Sequence, residues 1–146
     1  MKIVIIIPTY NERENIEKLV PAIFKQTPMV PHQIEILVVD DHSPDKTAEV
    51  VRELMKNRPD VHLIEGEKQG LGRAYIRGMN YALNELGADA VMEMDADFSH
   101  DPQDVPRLIK ELEGCDFVIG SRYVPGGKIP ENWSLYRKLN SRIGNI

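Results

Sequence analysis

The chain has 146 residues, 42% of them hydrophobic and 28% charged, with a formal net charge of -5; that length suits one domain and excludes two independent cores. No apolar stretch approaches the roughly 20 residues needed to span a bilayer, and the run after Met1 is too short for a secretory signal, so a cytoplasmic chain is expected. The acidic balance argues against nucleic-acid binding, and the single cysteine excludes an internal disulfide framework or a cysteine-based zinc site.

Short apolar runs alternate with helical patterns, the signature of a parallel sheet covered by helices. Residues 2–7 are unbroken apolar after Lys2, as in a strand buried on both faces. Asn11, with Glu14 three residues on, is expected to cap a helix carrying Ile16, Leu19, Val20, Ile23 and Phe24. A second strand is expected at 34–39. Ser43-Pro44 reads as an N-cap and first-turn proline opening a helix through Val51, Leu54 and Met55. Residues 61–64 form a short third strand. The stripe Leu71, Ala74, Tyr75, Gly78, Met79, Ala82, Leu83 and Leu86 marks the clearest helix. A fourth strand at 90–94 precedes a helix opened by Asp101-Pro102 and carrying Val105, Leu108, Ile109 and Leu112. Cys115 reads as a small core residue, 117–119 as a fifth strand, Pro125-Gly126-Gly127 as a loop and 132–146 as a last helix.

Polar residues gather where these strands end. Ligands of open parallel sheets bind outside the carboxyl ends of the strands. Pro8-Thr9-Tyr10-Asn11-Glu12, Asp40-Asp41-His42-Ser43, Asp95-Ala96-Asp97 and Gly120-Ser121-Arg122-Tyr123 all fall there. Asp and Asn are also ordinary cap and loop residues, but four such segments on one edge favour a site. The first loop lacks the glycines of a dinucleotide site and the Gly-Lys-Ser/Thr of a P-loop. Asp95 and Asp97, one small residue apart where strand geometry breaks, can turn toward one hard cation completed by water and phosphate oxygens. Asp40 or Asp41 suits ribose hydroxyls or base N–H groups, with a helix cap as the alternative at Asp41. Gly70-Leu71-Gly72-Arg73-Ala74 sets small residues and a cation at a helix N-terminus, a fitting approach for a diphosphate. His100 reads as a hydrogen-bonding loop residue; His32, His42 and His62 show no metal spacing.

Residues 120–146 hold Arg122, Lys128, Arg137, Lys138 and Arg142 against Glu131, a balance of +4, which leaves 13 basic and 22 acidic groups, or -9, in the first 119 residues. Anion recognition is therefore expected at the C-terminal end. On a helix, Arg137 with Ser141 and Lys138 with Arg142 form one polar face offering donors to a phosphate. Trp133, Tyr136, Leu139 and Ile143 approximate an opposing apolar face suited to a membrane surface.

On these residues the sequence resembles the family 2 glycosyltransferases with a GT-A fold, an open, mainly parallel α/β sheet flanked by helices. Within them it is similar to the dolichyl- or polyprenyl-phosphate mannose synthases. The resemblance is carried by Ile7-Pro8-Thr9-Tyr10-Asn11-Glu12, Val38-Val39-Asp40-Asp41-His42-Ser43-Pro44-Asp45, Gly70-Leu71-Gly72-Arg73-Ala74, the stretch from Met94-Asp95-Ala96-Asp97 to Pro102, Gly120-Ser121-Arg122-Tyr123, and Arg137-Lys138 with Ser141-Arg142. It is collinear over essentially the whole chain.

The resemblance implies inverting transfer of mannose from GDP-mannose to an isoprenoid phosphate. Pro8, Tyr10, Glu12, Asp40, Asp41, Gly72, Arg73, Asp95, Ala96 and Asp97 would serve the donor. Asp95 and Asp97 would hold Mg²⁺ or Mn²⁺, and Ser99 stands where some relatives place a glutamine ligand, so it is a weaker ligand acting through water. Arg122, Arg137 and Ser141 would receive the acceptor phosphate and, with Asp97, form the catalytic set. The expected location is peripheral, at the cytoplasmic face of the membrane. Residues 1–120 are then the donor part of a single catalytic domain and 121–146 the start of its acceptor region. Family catalytic domains run longer, so a further C-terminal part or a partner chain is expected to complete the site. A UDP-glucose donor, a saccharide acceptor and a sugar-nucleotide-binding chain without transfer stay open. The Asp-x-Asp pattern also begins haloacid-dehalogenase-type phosphatases, but there it follows an early strand, and the other strand-end motifs would go unexplained.

Overall fold

The computed structural model describes residues 1–124, 127, 129 and 134–143, without the side chain of Arg142. Pro125 and Gly126 of the predicted loop and the place of Trp133 on the last helix lie outside the described residues. Four parallel strands, β1 (Lys2–Thr9), β2 (Gln33–Asp40), β3 (Val61–Glu65) and β4 (Ala90–Glu93), lie in the order β3-β2-β1-β4. The connecting helices are α1 (Arg13–Gln26), α2 (Thr47–Asn57) and α3 (Leu71–Asn84); α4 (Val105–Leu112) and α5 (Leu135–Ile143) follow.

Successive strand residues point to opposite faces, so the unbroken apolar runs of β1 and β2 feed two cores. Ile3, Ile5 and Ile7 meet Ile36 and Val38 under α1, α2 and α4, with Ile16, Leu19, Ile23, Val51, Val105 and Ile109. Val4, Ile6, Leu37 and Val39 face Ala74 and Ala82 of α3. A Cβ added at Gly78 would lie 2.5 Å from Ile6 Cγ2 and 3.0 Å from Val39 Cγ2, so only glycine lets α3 lie this close to the sheet.

Register places the polar segments together. β1 and β2 pair through to Thr9↔Asp40, and β2 and β3 through to Asp40↔Glu65. On the other side Ile6 pairs with Glu93, and the Met94 N–H donates to the Ile6 carbonyl at 3.1 Å, so Asp95 emerges beside the end of β1.

Several local expectations are corrected. Residues 117–119 form no strand, and Phe117 and Ile119 are 73% and 77% exposed. A strand needs a ladder partner for its backbone groups, and no described strand pairs with this one. Cys115 is exposed, its thiol near the Glu111 and Phe117 carbonyls, because the chain turns there instead of entering the sheet. Leu71 and Leu83 lie on the exposed flank of α3, since the buried line is the narrower Ala74, Gly78 and Ala82.

Asn11 does not cap α1: its φ is 61°, and the N-cap position is Glu12, which makes no side-chain cap bond. The loop before α2 supplies the acceptors instead. Ser43 Oγ accepts from the Asn11 N–H at 2.9 Å, Thr47 Oγ1 from the Glu12 N–H at 3.1 Å, and the Asp45 carboxylate from the Arg13 N–H at 3.1 Å. Ser43-Pro44 likewise precedes its helix, which starts at Thr47 with Asp45 accepting from the Thr47 N–H and hydroxyl. One loop thus satisfies the first turns of two helices, an arrangement that spacing within either helix cannot reveal.

The amino end of the sheet is held by Glu35, whose buried carboxylate lies 3.1 Å from Lys2 Nζ and 2.8 Å from His62 Nε2. Burial pushes this carboxyl up, but hydrogen bonds and charge from Lys2 and His62 pull it further down, leaving it below its ordinary value. A depressed carboxylate stabilises the fold above its unfolded pKa and loses that contribution as pH falls through the folded one. Urea midpoints from about pH 6 to about pH 3 are therefore expected to fall with acid, and the slope is expected to be shallower in Glu35→Gln. Parallel slopes would remove Glu35 from the acid response.

Candidate functional site

A cavity of about 320 Å³ opens at the carboxyl edge of the sheet. Pro8, Thr9, Tyr10 and Glu12 line it from the end of β1, Asp41 from β2, and Asp95, Ala96 and Asp97 from β4. Lys68, Gly70, Leu71 and Ala74 close it from the start of α3. The structure thus brings together Pro8, Tyr10, Glu12, Asp41, Asp95, Ala96 and Asp97 from the sequence reading. Gly72 and Arg73 do not line it; Gly70, Leu71 and Ala74, the last two one helical turn apart, are the residues of that segment that do.

The adjacent acids divide. Asp40 is fully buried: Oδ1 accepts from Thr9 Oγ1 at 2.8 Å and Ser43 Oγ at 2.6 Å, and Oδ2 from the Ser43 N–H at 2.8 Å. It braces the ends of β1 and β2 from behind the cavity wall. Asp41 reaches the cavity, and the Arg77 guanidinium of α3 donates to its carboxylate. A Cβ added at Gly66 would lie 2.7 Å from Arg77 Cζ, so glycine there lets the guanidinium lie against the chain after β3.

The second acid pair is also held from α3. The Tyr75 hydroxyl donates to Asp95 Oδ1 at 2.9 Å. Burial, then this bond and the charges of Asp95, Glu93 and Asp97, hold the phenol well above its ordinary value, so it stays a donor. His100 Nδ1 accepts from the Asp95 N–H at 3.2 Å. Asp97 is exposed; hydrogen bonds from Ser99, its hydroxyl first and then its N–H at 2.9 Å, hold the carboxyl below its usual range and keep it ionised. Among the described residues no cluster of three or more His, Cys, Asp or Glu side chains could enclose a metal. Two carboxylates on an open wall fit instead a hard cation that keeps positions for water and phosphate oxygens.

The basic residues of the acceptor reading are less gathered. Arg122 donates to the Ser99 carbonyl at 2.8 Å, which brings it against the Asp95–Ser99 loop. Arg137 and Ser141 lie on α5, whose first turn is capped by Ser134 Oγ accepting from the Arg137 N–H at 3.2 Å. Neither lines the cavity, and Leu135, Tyr136, Leu139 and Ile143 of α5 are exposed. Sequence reasoning missed Lys68, Tyr75 and Arg77. Lys68 stands just ahead of a glycine-marked helix start, which was the available signal; Tyr75 was concealed in the apolar stripe, and Arg77 stood off it.

The family model for glycosyl transferase family 2 matches residues 4–146. Over 143 residues the chain is 46% identical to the dolichol-phosphate mannosyltransferase of Pyrococcus furiosus, covering 97% of this chain and 39% of that protein. It is 44% identical over 147 residues to the undecaprenyl-phosphate mannosyltransferase of Micrococcus luteus, covering 100% of this chain and 58% of that one. The chain therefore spans only 39% and 58% of the length of these two relatives. Among solved structures, mannosyltransferase PcManGT from Pyrobaculum calidifontis, in complex with GDP-Man and Mn²⁺, aligns with a TM-score of 0.56 at 28% identity, over 75% of this chain and 32% of that one. Mannosyl-3-phosphoglycerate synthase from Rubrobacter xylanophilus shares the fold, with a TM-score of 0.61 at 20% identity over 77% and 36% of the two chains. With a family model matched from residue 4 onward and a parallel sheet whose carboxyl edge carries the cavity, this protein belongs to glycosyl transferase family 2 and has its GT-A type of α/β fold.

Proposed function

We propose that this chain carries the donor side of a metal-dependent, inverting mannosyltransferase that moves mannose from GDP-mannose to a polyprenyl or dolichyl phosphate. The observation that carries the reading is the meeting of Tyr10, Asp41, Asp95 and Asp97 in one cavity at the sheet's carboxyl edge. The names of the two curated relatives support the sugar and the acceptor class, and the GDP-Man and Mn²⁺ complex of the Pyrobaculum calidifontis protein supports the donor.

Tyr10 and Asp41 receive the nucleoside, with Pro8 and Glu12 beside them and Asp40 holding the wall. Gly72 and Arg73, at the start of α3, attend the diphosphate, with Ala96 packed between the two acids. Asp95 and Asp97, with Ser99 through water, are the residues that would hold Mg²⁺ or Mn²⁺. A divalent cation there supplies positive charge to the departing diphosphate.

The acceptor needs little activation, because a phosphate monoester with a second pKa near about 6 is largely dianionic at neutral pH. An acceptor phosphate oxygen forms the new bond to the anomeric carbon as the bond to the β-phosphate oxygen breaks from the opposite face, and GDP leaves. Arg122, Arg137 and Ser141 orient that phosphate; positioning is the main catalytic contribution. Residues 1–120 form the donor part and 121–146 begin the acceptor part, which a further C-terminal segment or partner chain completes. No described helix is long and apolar enough to cross a membrane, and the exposed apolar residues of α5 support contact with the cytoplasmic face of the membrane, where the lipid acceptor lies.

The test is a panel of GDP-mannose and UDP-glucose against polyprenyl phosphate and a saccharide, each with Mg²⁺ or Mn²⁺. Metal-dependent GDP-mannose binding and label entering polyprenyl phosphate are expected. A preference for UDP-glucose would overturn the donor assignment. Tight donor binding with no transfer would leave a sugar-nucleotide-binding chain that does not transfer alone.

A further inference from the structure

The cavity's charge does not match the ligand assigned to it. Glu12, Asp41, Asp95 and Asp97 place four carboxylates on its wall, and Lys68 is the only cationic side chain among the described lining residues. A nucleoside diphosphate entering such a wall meets like charge; Arg77 offsets Asp41 from behind the wall and a cation between Asp95 and Asp97 would offset those two, which leaves Glu12 and the incoming diphosphate with Lys68 as the one cation on the described lining.

Lys68 is exposed and enters no ion pair among the described residues; its ammonium rests 3.2 Å from the centroid of the Tyr10 ring. It stands two residues before Gly70, the N-cap of α3, which provides no side-chain cap for the helix's first N–H groups. The ammonium therefore sits on a flexible stem between an aromatic face and a helix start of positive potential.

We propose that Lys68 is a diphosphate-binding cation on the cavity wall itself, beside the role given to Arg73, and that it changes partner when the donor enters. The Tyr10 face it covers is the flat surface a nucleobase would stack on. A cation–π contact at an exposed site is weaker than a charge-assisted hydrogen bond to a phosphate oxygen, so the base takes the ring and the ammonium moves to the diphosphate over the start of α3. This inference rests on the sugar-nucleotide reading of the cavity.

The test compares nucleotide with nucleoside, using the full chain with Mn²⁺ and calorimetry of GDP, guanosine, UDP and uridine. Lys68→Ala is expected to weaken the bound diphosphate by roughly 10- to 100-fold while nucleoside binding changes by less than about 3-fold. Lys68→Arg is expected to recover most of the loss, which separates lost charge from lost fold. Equal losses for GDP and guanosine, or none, would overturn the inference. Selective loss for UDP in a chain that ignores GDP would keep Lys68 as the diphosphate cation while overturning the GDP-mannose donor. A wild-type chain that binds none of the four would overturn both.

Discussion

Asp97→Asn is expected to remove the Mn²⁺-dependent part of GDP-mannose binding, weakening it by about 100- to 1000-fold, the several kcal/mol that a metal supplies to a diphosphate. Two effects of the substitution oppose each other, and their sizes decide the outcome. Removing one negative charge from a wall of four carboxylates favours an anion slightly in the absence of metal. Losing one of two carboxylates from an open cation site costs far more, because no third ligand of that kind stands nearby among the described residues. Calorimetry with and without Mn²⁺ should therefore show metal-free GDP-mannose binding held or slightly strengthened and the gain from Mn²⁺ gone. The fold should be unaffected, since the amide side chain keeps an oxygen for the Ser99 N–H that now donates to Asp97. Because Ser99 holds the Asp97 carboxyl below its usual range, the wild-type metal response should persist to more acidic pH than an ordinary aspartate allows. An undiminished Mn²⁺ gain in Asp97→Asn would remove Asp97 from the metal site.

Arg77→Met is expected to destabilise the fold by about 2 to 3 kcal/mol and to weaken donor binding with it. Breaking a fully buried pair costs roughly 3 to 5 kcal/mol because one charge is left without a partner. Here Asp41 retains 9% of its side-chain exposure and Arg77 28%, so water recovers part of that cost. Methionine fills the guanidinium's space against Gly66 without its charge, which makes the Asp41 carboxylate the main loser. The check is urea unfolding of Arg77→Met, Asp41→Asn and the double variant. A coupling energy above about 1 kcal/mol is expected for residues in direct contact, whereas additive losses would mean that Arg77 acts through packing alone.

The first prediction concerns a residue of the cavity wall and the second the support behind that wall, much of which α3 supplies. That helix was legible in the sequence because Ala74, Gly78 and Ala82 recur at helical spacing. What it does was not legible. Tyr75 is part apolar ring and part hydroxyl, and periodicity registers only the ring; Arg77 lies off the stripe and looks like a solvated charge. Their partners, Asp95 and Asp41, are 20 and 36 residues away in sequence, beyond the reach of any helical period. Capping at α1 was misplaced for the same reason: Ser43, Asp45 and Thr47 serve a helix start more than thirty residues earlier. At α2 the error was local, the start being set at Ser43-Pro44 when the helix begins at Thr47 with Asp45 as its acceptor. The expected strand at 117–119 failed in the opposite sense. Phe117, Val118 and Ile119 have the composition of a strand, but composition supplies no partner for a ladder.

By itself the sequence determined the parallel α/β architecture, since apolar runs of β length alternating with helical stripes have few other ways to bury themselves. It also determined that the segments after β1, β2 and β4 meet at one edge, because the carboxyl ends of parallel strands necessarily lie together, whereas Gly120-Ser121-Arg122-Tyr123, expected there as a fourth, ends no described strand and does not line the cavity. Only the tertiary structure decided which acid of the Asp40-Asp41 pair faces the cavity. One residue of register turns a side chain to the other face, and the hydroxyls of Thr9 and Ser43 draw Asp40 inward while Arg77 holds Asp41 at the wall.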